Sequence, residues 1–353
     1  MPTSRAHASR LAQSRHADIF IWWPSTPLSE LIACFNSSVV GPVTAGTLLR
    51  WVNMLAGLGG ASVMQVGRVS LRRMAPFQYY PDPLEAVSSS EALETGDYGC
   101  FYLDRGSFIV RRLPFNGSYH VVSLETRKIA FEATRTPGGL ESLARYDIPA
   151  PFRDEVSKRD GVKCIFTRYT AMDNDPVDVH WIYPPGMARY ITTLSAERPF
   201  FPRTEGFQNP DNLMSVRDDI YKLWHVNAFS VDVDDGNRIR IFDETAKHAG
   251  LPAHLEVNPK GSASHNFFRE HFRHTLCVHF IGGDIQTDYD PQTVNSYLVE
   301  NGLDEEGTLD DFDPSDEIFQ TIIGREVLEC VIAEKLRRRC EDTDDTDDGY
   351  YFE

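Results

Sequence analysis

The first third of the chain carries hydrophobic patterns that predict several strands around one helix. The apolar run in Asp18–Trp23, closed by Pro24, predicts a strand that is buried on both faces. Helical spacing of Leu48, Trp51, Val52, Leu55 and Leu58 predicts a helix, with Thr47 as its cap and glycines 57, 59 and 60 at its end. Further predictions are strands at Val63–Val66 and Val69–Leu71, a polar loop over Pro81–Glu94, and a hairpin of Gly99–Leu103 with Phe108–Arg111. These elements predict a separate small α+β domain over residues 17–114, for which a ubiquitin-like form is one interpretation.

The last third is predicted to be helical. Apolar residues at helical spacing (Phe268, Phe272, Leu276 and Phe280) predict an amphipathic helix over Phe267–Phe280. The same helix carries four possible metal ligands, Glu270, His271, His274 and Cys277, but the apolar stripe favours a core helix with flanking histidines. Further helices are predicted at Gln292–Asn301 and at Asp316–Arg339, the second with Ser315 as its cap. We therefore expect a helical extension over residues 286–340.

The middle of the chain shows a second mixed pattern. It predicts a strand around Val162–Phe166, a second strand that places His180, and a turn at Asn212 before a helix near Val216–Val226. Strands around Phe229–Val233 and Arg238–Phe242 follow. Residues 115–150 read as a connector, because a Thr136–Gly139 turn cluster and two prolines precede this region.

Spaced residues within Phe152–Gly283 resemble the HNH endonucleases, in particular HNH-domain proteins common in fungal genomes. They are Arg159-Asp160-Gly161 with Cys164, His180 with Tyr190-Ile191, Asn212-Leu213, Phe229-Ser230-Val231, and His271-Phe272-Arg273. The resemblance implies a ββα-metal core over residues 151–285 and metal-dependent hydrolysis of phosphodiesters. The predicted fold class is thus α+β, with an HNH-like core, a C-terminal helical extension and the separate N-terminal domain.

Catalysis of this kind needs a base to activate water and a cation to stabilise the developing charge. The resemblance assigns the base to His180 and its orientation to Asn212. It places a divalent ion (Mg²⁺, Mn²⁺ or Zn²⁺) at His225, with Asp178 added because it shares a strand face with His180. The family's helix histidine falls on Tyr221, a poor neutral ligand, and the family's following aspartate falls on His225. The metal site is therefore predicted to be degenerate.

Charge and cysteine content limit the choice of partner and compartment. The formal net charge is −17, with five basic and eighteen acidic residues from Gly302 to Glu353. Arg153–Ser230 has ten basic and eleven acidic residues, so tight electrostatic binding of DNA is not supported. The six cysteines form no CxxC pair, which predicts free thiols and an intracellular protein, nuclear or cytoplasmic. No apolar run approaches the roughly 20 residues that span a bilayer, so no membrane partner is expected.

The two ends of the chain are predicted to be disordered. Residues 1–16 read as a basic tail, for which an organelle transit segment is the alternative, and residues 341–353 as an acidic tail.

Three functional interpretations remain open at this point. The first is a metal-dependent endonuclease, whose activity is either intact or weakened. The second is an inactive HNH-fold scaffold that binds nucleic acid or, given the acidity, another protein. The third is an unrelated α+β protein whose His180 and Asn212 are core polar residues.

Overall fold

The computed structural model describes residues 6–24, 29–56, 64–104, 107–109, 147–161, 163–169, 176–185, 204–256, 264–303 and 313–344. Within them the chain is a mixed α+β structure of ten strands and eight α-helices. In these same residues no helix is both long and apolar enough to cross a membrane. Most of the predicted connector, Tyr190-Ile191 and the end of the acidic tail lie outside the described residues.

The N-terminal part is one six-stranded sheet crossed by a helix. Its strands are β1 (Ile19–Trp23), β2 (Glu30–Phe35), β3 (Met64–Ala75), β4 (Gln78–Ala86), β5 (Gly96–Asp104) and β6 (Ser107–Ile109). The order is β2-β1-β5-β3-β4, with β6 paired to β5. β1 and β5 run parallel, and the other pairs are antiparallel. Two short helices and the longer α3 (Ala45–Ala56) lie around it, the short ones being α1 (Arg10–Ser14) and α2 (Ser37–Val40).

Strand β1 is buried on both faces, as its apolar run predicts. Ile19, Ile21 and Trp23 face the cluster that contains α3, whereas Phe20 and Trp22 face a second cluster on the other side of the sheet. Alternate side chains of a strand point to opposite faces, so an unbroken apolar run fits a strand covered on both sides.

Three local predictions in this sheet are wrong. Helix α3 begins at Ala45, because Thr44 rather than Thr47 accepts a hydrogen bond from the first turn. The two short strands predicted near Val66 and Val69 are one strand, β3. The predicted loop from Pro81 includes the second half of β4. Prolines are tolerated there because β4 lies at the edge of the sheet, where a strand needs fewer amide donors.

The second part consists of two small antiparallel ladders and three helices. The strands are β7 (Val177–Trp181), β8 (Leu213–Arg217), β9 (Phe229–Asp232) and β10 (Arg238–Ile241). The helices are α4 (Ala150–Asp160), α5 (Asp218–His225) and α6 (Ser264–His279). β7 pairs with β8, and β9 with β10. His180 on a strand, Tyr221 and His225 on a helix, and strands after Phe229 and Arg238 are confirmed.

The first strand predicted for this part, around Val162–Phe166, contains a turn in its described residues. Residues Ile165–Thr167 form a turn, whose Ile165 amide donates to the Ser215 carbonyl at 2.9 Å. The charged segment before it forms α4, which ends at Gly161 in the left-handed conformation (φ +67°) that glycine adopts without strain. The partner strand of β7 is instead β8, where the helix was predicted to begin.

The two parts share one hydrophobic core. Phe272 and Leu276 of α6, and Phe280 directly after it, pack in the same cluster as Trp51 of α3. Asp232 of β9 is fully buried and accepts hydrogen bonds from Arg50 (2.5 and 2.9 Å) and from Trp51 Nε1 (3.0 Å). A buried carboxylate is tolerated only when it is paired in this way, so α3 and β9 hold each other in place.

The segment predicted as a disordered basic tail is structured where it is described. Ser9 caps α1, and its amide donates to the Gly283 carbonyl at 2.9 Å. Arg15 donates to the carbonyls of Val278 (2.7 Å) and Ile281 (2.9 Å), at the C-terminal end of α6. A cation at this end of a helix satisfies free carbonyls and opposes the helix dipole, which explains the order.

The C-terminal part adds α7 (Pro291–Glu300) and α8 (Ile322–Asp344). The single helix predicted from Asp316 is divided: a short 3₁₀ turn at Glu317–Gln320 precedes α8, and Asp316 rather than Ser315 caps that turn. Glu326 of α8 is buried and accepts from the Tyr79 hydroxyl at 2.8 Å, which anchors the helix on the β3–β4 hairpin. Helix α8 also covers residues 341–344 of the predicted disordered acidic tail.

Candidate functional site

The predicted site residues lie on β7, on the turn before β8, and on α5. β7 and β8 are antiparallel, with His180 opposite Met214, and α5 begins directly after β8. Three side chains of β8 are fully buried: Leu213, Met214 and Val216. Their burial stabilises this short apolar run as a strand. Trp224 of α5 donates its Nε1 proton to the Ile182 carbonyl at 2.9 Å, which ties the helix to the end of β7.

His180 contacts a carboxylate and an aromatic ring. Its Nε2 lies 3.3 Å from Asp218 Oδ1, and both side chains are partly exposed. Its ring stacks on Tyr221, with 3.8 Å between ring centroids and 21° between the planes. A carboxylate that accepts a hydrogen bond from an imidazole fixes the ring's orientation. The arrangement can therefore support proton transfer by His180.

Asp218 was not predicted as a site residue, although the spacing on the helix contains the signal. Asp218 and Tyr221 are three residues apart, and Tyr221 and His225 are four apart, so all three share one helix face. The sequence did not show where the helix begins. With a predicted start at Val216, nothing in the position of Asp218 marks it as a site residue. Its neighbour Asp219 pairs with Arg217, and the hydrogen bond from that guanidinium lowers the pKa of the Asp219 carboxyl.

Asn212 is buried and its amide is fully engaged by backbone groups. Its Oδ1 accepts from the Tyr183 amide at 2.9 Å, and its Nδ2 donates to the carbonyls of Tyr183 (2.7 Å) and Phe207 (2.9 Å). These bonds fix the chain three residues after His180. Asn212 therefore acts as a structural clamp on the segment that follows β7, and its side-chain amide is not exposed to solvent.

The Arg159-Asp160-Gly161 motif also makes structural contacts. Arg159 donates to the Leu213 carbonyl at 2.7 Å, and Asp160 accepts from the Ser215 amide at 2.9 Å. Gly161 ends α4. The motif therefore joins α4 to the edge of β8 and lies outside the contacts of His180.

The three predicted metal ligands do not converge. Asp178 is more than half exposed and pairs with Arg153 of α4 at 2.8 Å. His225 is 1% exposed, and Tyr221 lies against both histidines, with 5.7 Å between the ring centroids of Tyr221 and His225. Across the described ranges, no three His, Cys, Asp or Glu side chains are grouped closely enough to hold a metal ion. As placed in the structure, these residues do not fit a divalent ion.

The histidines of α6 have structural partners, in agreement with the interpretation of that helix as core. His271 Nδ1 lies 2.7 Å from the Ser230 hydroxyl, and its Nε2 lies 3.0 Å from the Trp224 carbonyl. A carbonyl only accepts, so Nε2 carries the proton and Nδ1 accepts from the serine. His274 Nδ1 lies 3.1 Å from the Tyr183 hydroxyl. Burial raises the pKa of the nearby Cys277 thiol to about 11, which keeps it protonated.

No protein family, curated protein or solved structure matches this chain. The likeness to HNH endonucleases thus depends on the spaced residues and on the geometry around His180. Two arginines near the site residues are paired with carboxylates: Arg153 with Asp178, and Arg217 with Asp219. These two pairs contribute little net positive charge that could attract a phosphate group.

Proposed function

We propose that this chain is a degenerate HNH-like protein that acts as a protein-binding scaffold and not as a metal-dependent nuclease. The observation that supports this proposal most directly is the stacking of the Tyr221 ring on the His180 ring. At the position where the resemblance places an imidazole ligand, a neutral phenol ring packs against the proposed general base. A buried aromatic ring stabilises the unit through packing but supplies no neutral nitrogen donor to a metal ion.

The order of elements supports the HNH-like part of the proposal. An antiparallel strand pair, β7 and β8, is followed at once by α5, and His180 and Tyr221 lie on the first strand and the helix. The N-terminal sheet supports a ubiquitin-like form. It has a hairpin, a helix and four further strands, with β1 and β5 parallel at its centre.

Charge favours a protein partner over nucleic acid. The chain has 52 acidic and 35 basic residues, and the arginines beside the site are neutralised by aspartates. Binding to a nucleic-acid backbone depends on cations that can replace counterions. A surface with paired arginines does not provide them.

A second candidate function is favoured by the pair of His180 and Asp218. The imidazole and the carboxylate are 3.3 Å apart and both are partly open to solvent, which is the arrangement of a base held by an acid. In this alternative His180 removes a proton from water, and the chain retains weak phosphodiester hydrolysis. Asp218 would orient the ring without contacting substrate.

Incubation of the full-length protein with supercoiled plasmid and with single-stranded RNA separates the two candidates. Mg²⁺, Mn²⁺, Zn²⁺ and a chelator are tested in parallel, and His180→Ala is the matched control. We expect no cleavage above that of His180→Ala, and no binding of labelled DNA at low salt, where electrostatic binding is strongest. Cleavage that disappears in His180→Ala would overturn the scaffold proposal and support hydrolysis.

A further inference from the structure

An open groove lies on the side of the molecule where the N-terminal segment meets the end of α6. Its volume is about 690 Å³, within the range of roughly 300–1,000 Å³ that small-molecule sites occupy. It lies between α1, α2 and the residues that follow β10. The apolar side chains of its wall include Leu11, Phe35, Val39, Val40, Phe242 and Ile281.

Arg15 lies at this groove as a cation without an anionic partner. Its acceptors are the carbonyls of Val278, Phe280 and Ile281 and the sulfur of Cys34. In the described part of the chain no carboxylate pairs with it, and burial lowers the pKa of its guanidinium. A guanidinium has five N–H donors, and these acceptors engage only Nη1 and Nη2, so Nε remains able to bind an acceptor.

We infer that the groove binds a small amphipathic organic anion, with a carboxylate head at Arg15 and an apolar body along the wall. A partly buried cation beside apolar surface gains most from an anion that brings its own hydrogen-bond acceptors. The wall supplies the area against which the body is removed from water. This site lies apart from His180 and does not depend on the proposed function.

The two carboxylates at the rim fix the orientation of the ligand. Asp243 accepts from the amide and hydroxyl of Thr245, and Glu244 pairs with Lys247 at 3.2 Å. Both are already engaged, but their charge still repels an anion. The head is therefore placed at the Arg15 end and the apolar body toward Phe242.

The probes are sodium octanoate and 1-octanol, which share one apolar chain and differ in the charge of the head. Calorimetric titration of the full-length protein with each gives the affinity difference caused by the carboxylate. We expect octanoate to bind at least about tenfold more tightly than octanol, since one charge-assisted hydrogen bond is worth that much. Equal affinities, or no binding of octanoate, would overturn the inference.

Two substitutions test the two ends of the groove separately. Arg15→Met should remove the preference for octanoate over octanol. Because Arg15 also binds the end of α6, Leu11→Asp is a second test at a side chain that is 45% exposed. It places a negative charge on the wall and should weaken octanoate binding by about tenfold or more. Leu84→Asp, on β4 outside the groove, is the matched control and should bind normally. Undiminished binding by Leu11→Asp would refute the site.

Discussion

The ring of Tyr221 lies 3.8 Å from the ring of His180, at an angle of 21°, and is itself 7% exposed. This contact gives His180 a defined orientation without a metal ion. Asp218 completes it, since its carboxylate lies at 3.3 Å from Nε2 on the same helix face as Tyr221. The unit of β7, β8 and α5 is therefore held together by these side chains, at the position where the proposed HNH-like site would hold its ion.

Tyr221→His should restore metal binding. The new imidazole would stand one turn before His225 and beside His180, and neutral nitrogen donors suit Zn²⁺. We expect Zn²⁺ affinity in calorimetric titration to rise by at least about tenfold over the native chain. Tyr221→Phe keeps the ring stack without a donor and should show no gain. Nicking of plasmid DNA by Tyr221→His that His180→Ala abolishes would extend the result to activity, whereas equal affinity in the two Tyr221 variants would contradict the proposed register.

Asn212→Ala should destabilise the protein by about 2–4 kcal/mol, because it removes three buried hydrogen bonds and leaves backbone groups without partners. The measurement is urea unfolding followed by tryptophan fluorescence. Asn295, exposed on α7, is the control, and Asn295→Ala should change the free energy of unfolding by less than about 0.5 kcal/mol. Similar losses in both variants would show that the clamp contributes little.

The local hydrophobic pattern correctly predicted those elements whose apolar side chains are buried against neighbouring elements. The buried run of β1, the apolar stripe of α6 and the short strands β9 and β10 belong to this group. The strand Leu213–Arg217 was not predicted, because five mostly apolar residues fit either a strand or the start of a helix. Only its pairing with β7, which is distant in sequence, decides between these two structures. Helix α4 was missed since its charged sequence has almost no apolar periodicity.

The candidate site was predictable in its positions but not in its contacts. The spacing placed His180, Tyr221 and His225 on the correct elements. It could not show that Asp178 turns to Arg153, since that pairing depends on how α4 lies against β7. The same holds for Arg15, which reaches carbonyls more than 260 residues away along the chain. Contacts of such sequence separation follow from packing and leave no local pattern.

Three of the free thiols should react slowly and with a strong dependence on pH. Burial raises the pKa of Cys277 and Cys330 to about 11 and that of Cys100 to about 12, from an ordinary value near 9.0. The thiolate is the reactive form, so alkylation by iodoacetamide at pH 8 should be about a hundredfold slower than in the unfolded chain. Mass spectrometry of tryptic peptides measures each site. Native rates equal to unfolded rates at Cys277 would contradict the burial.

The same shifts make the fold less stable in alkali. A raised pKa means that the folded state prefers the neutral thiol, so this contribution is complete below pH 9 and is lost as pH rises toward 11. The urea midpoint should therefore fall between pH 8 and pH 10. In Cys277→Ser, whose hydroxyl does not titrate in this range, the fall should be smaller. An unchanged fall would assign the effect to other groups.

Arg15→Ala should destabilise the protein by about 1–3 kcal/mol, because the end of α6 loses charge-assisted hydrogen bonds to its carbonyls. Hydrogen exchange at residues 278–281 should increase in the variant. Arg10→Ala, an exposed arginine on the same helix, serves as the control and should change little. If both variants unfolded at the native midpoint, the N-terminal segment would not be part of the folded unit.

The buried pair of Arg50 and Asp232 should couple the N-terminal sheet to the second part of the chain. Asp232 is fully buried and Arg50 is 27% exposed on its side chain, so Asp232→Ala should cost about 3–5 kcal/mol by leaving a cation without its partner. The more exposed pair of Arg269 on α6 and Asp234, in the turn after β9, is the control. Its double-mutant coupling energy should be below about 1 kcal/mol, against at least about 1.5 kcal/mol for the buried pair. Urea unfolding of both cycles gives the two energies. Equal coupling would mean that the shared hydrophobic core alone joins the two parts, because the buried carboxylate would then contribute no more than a surface contact.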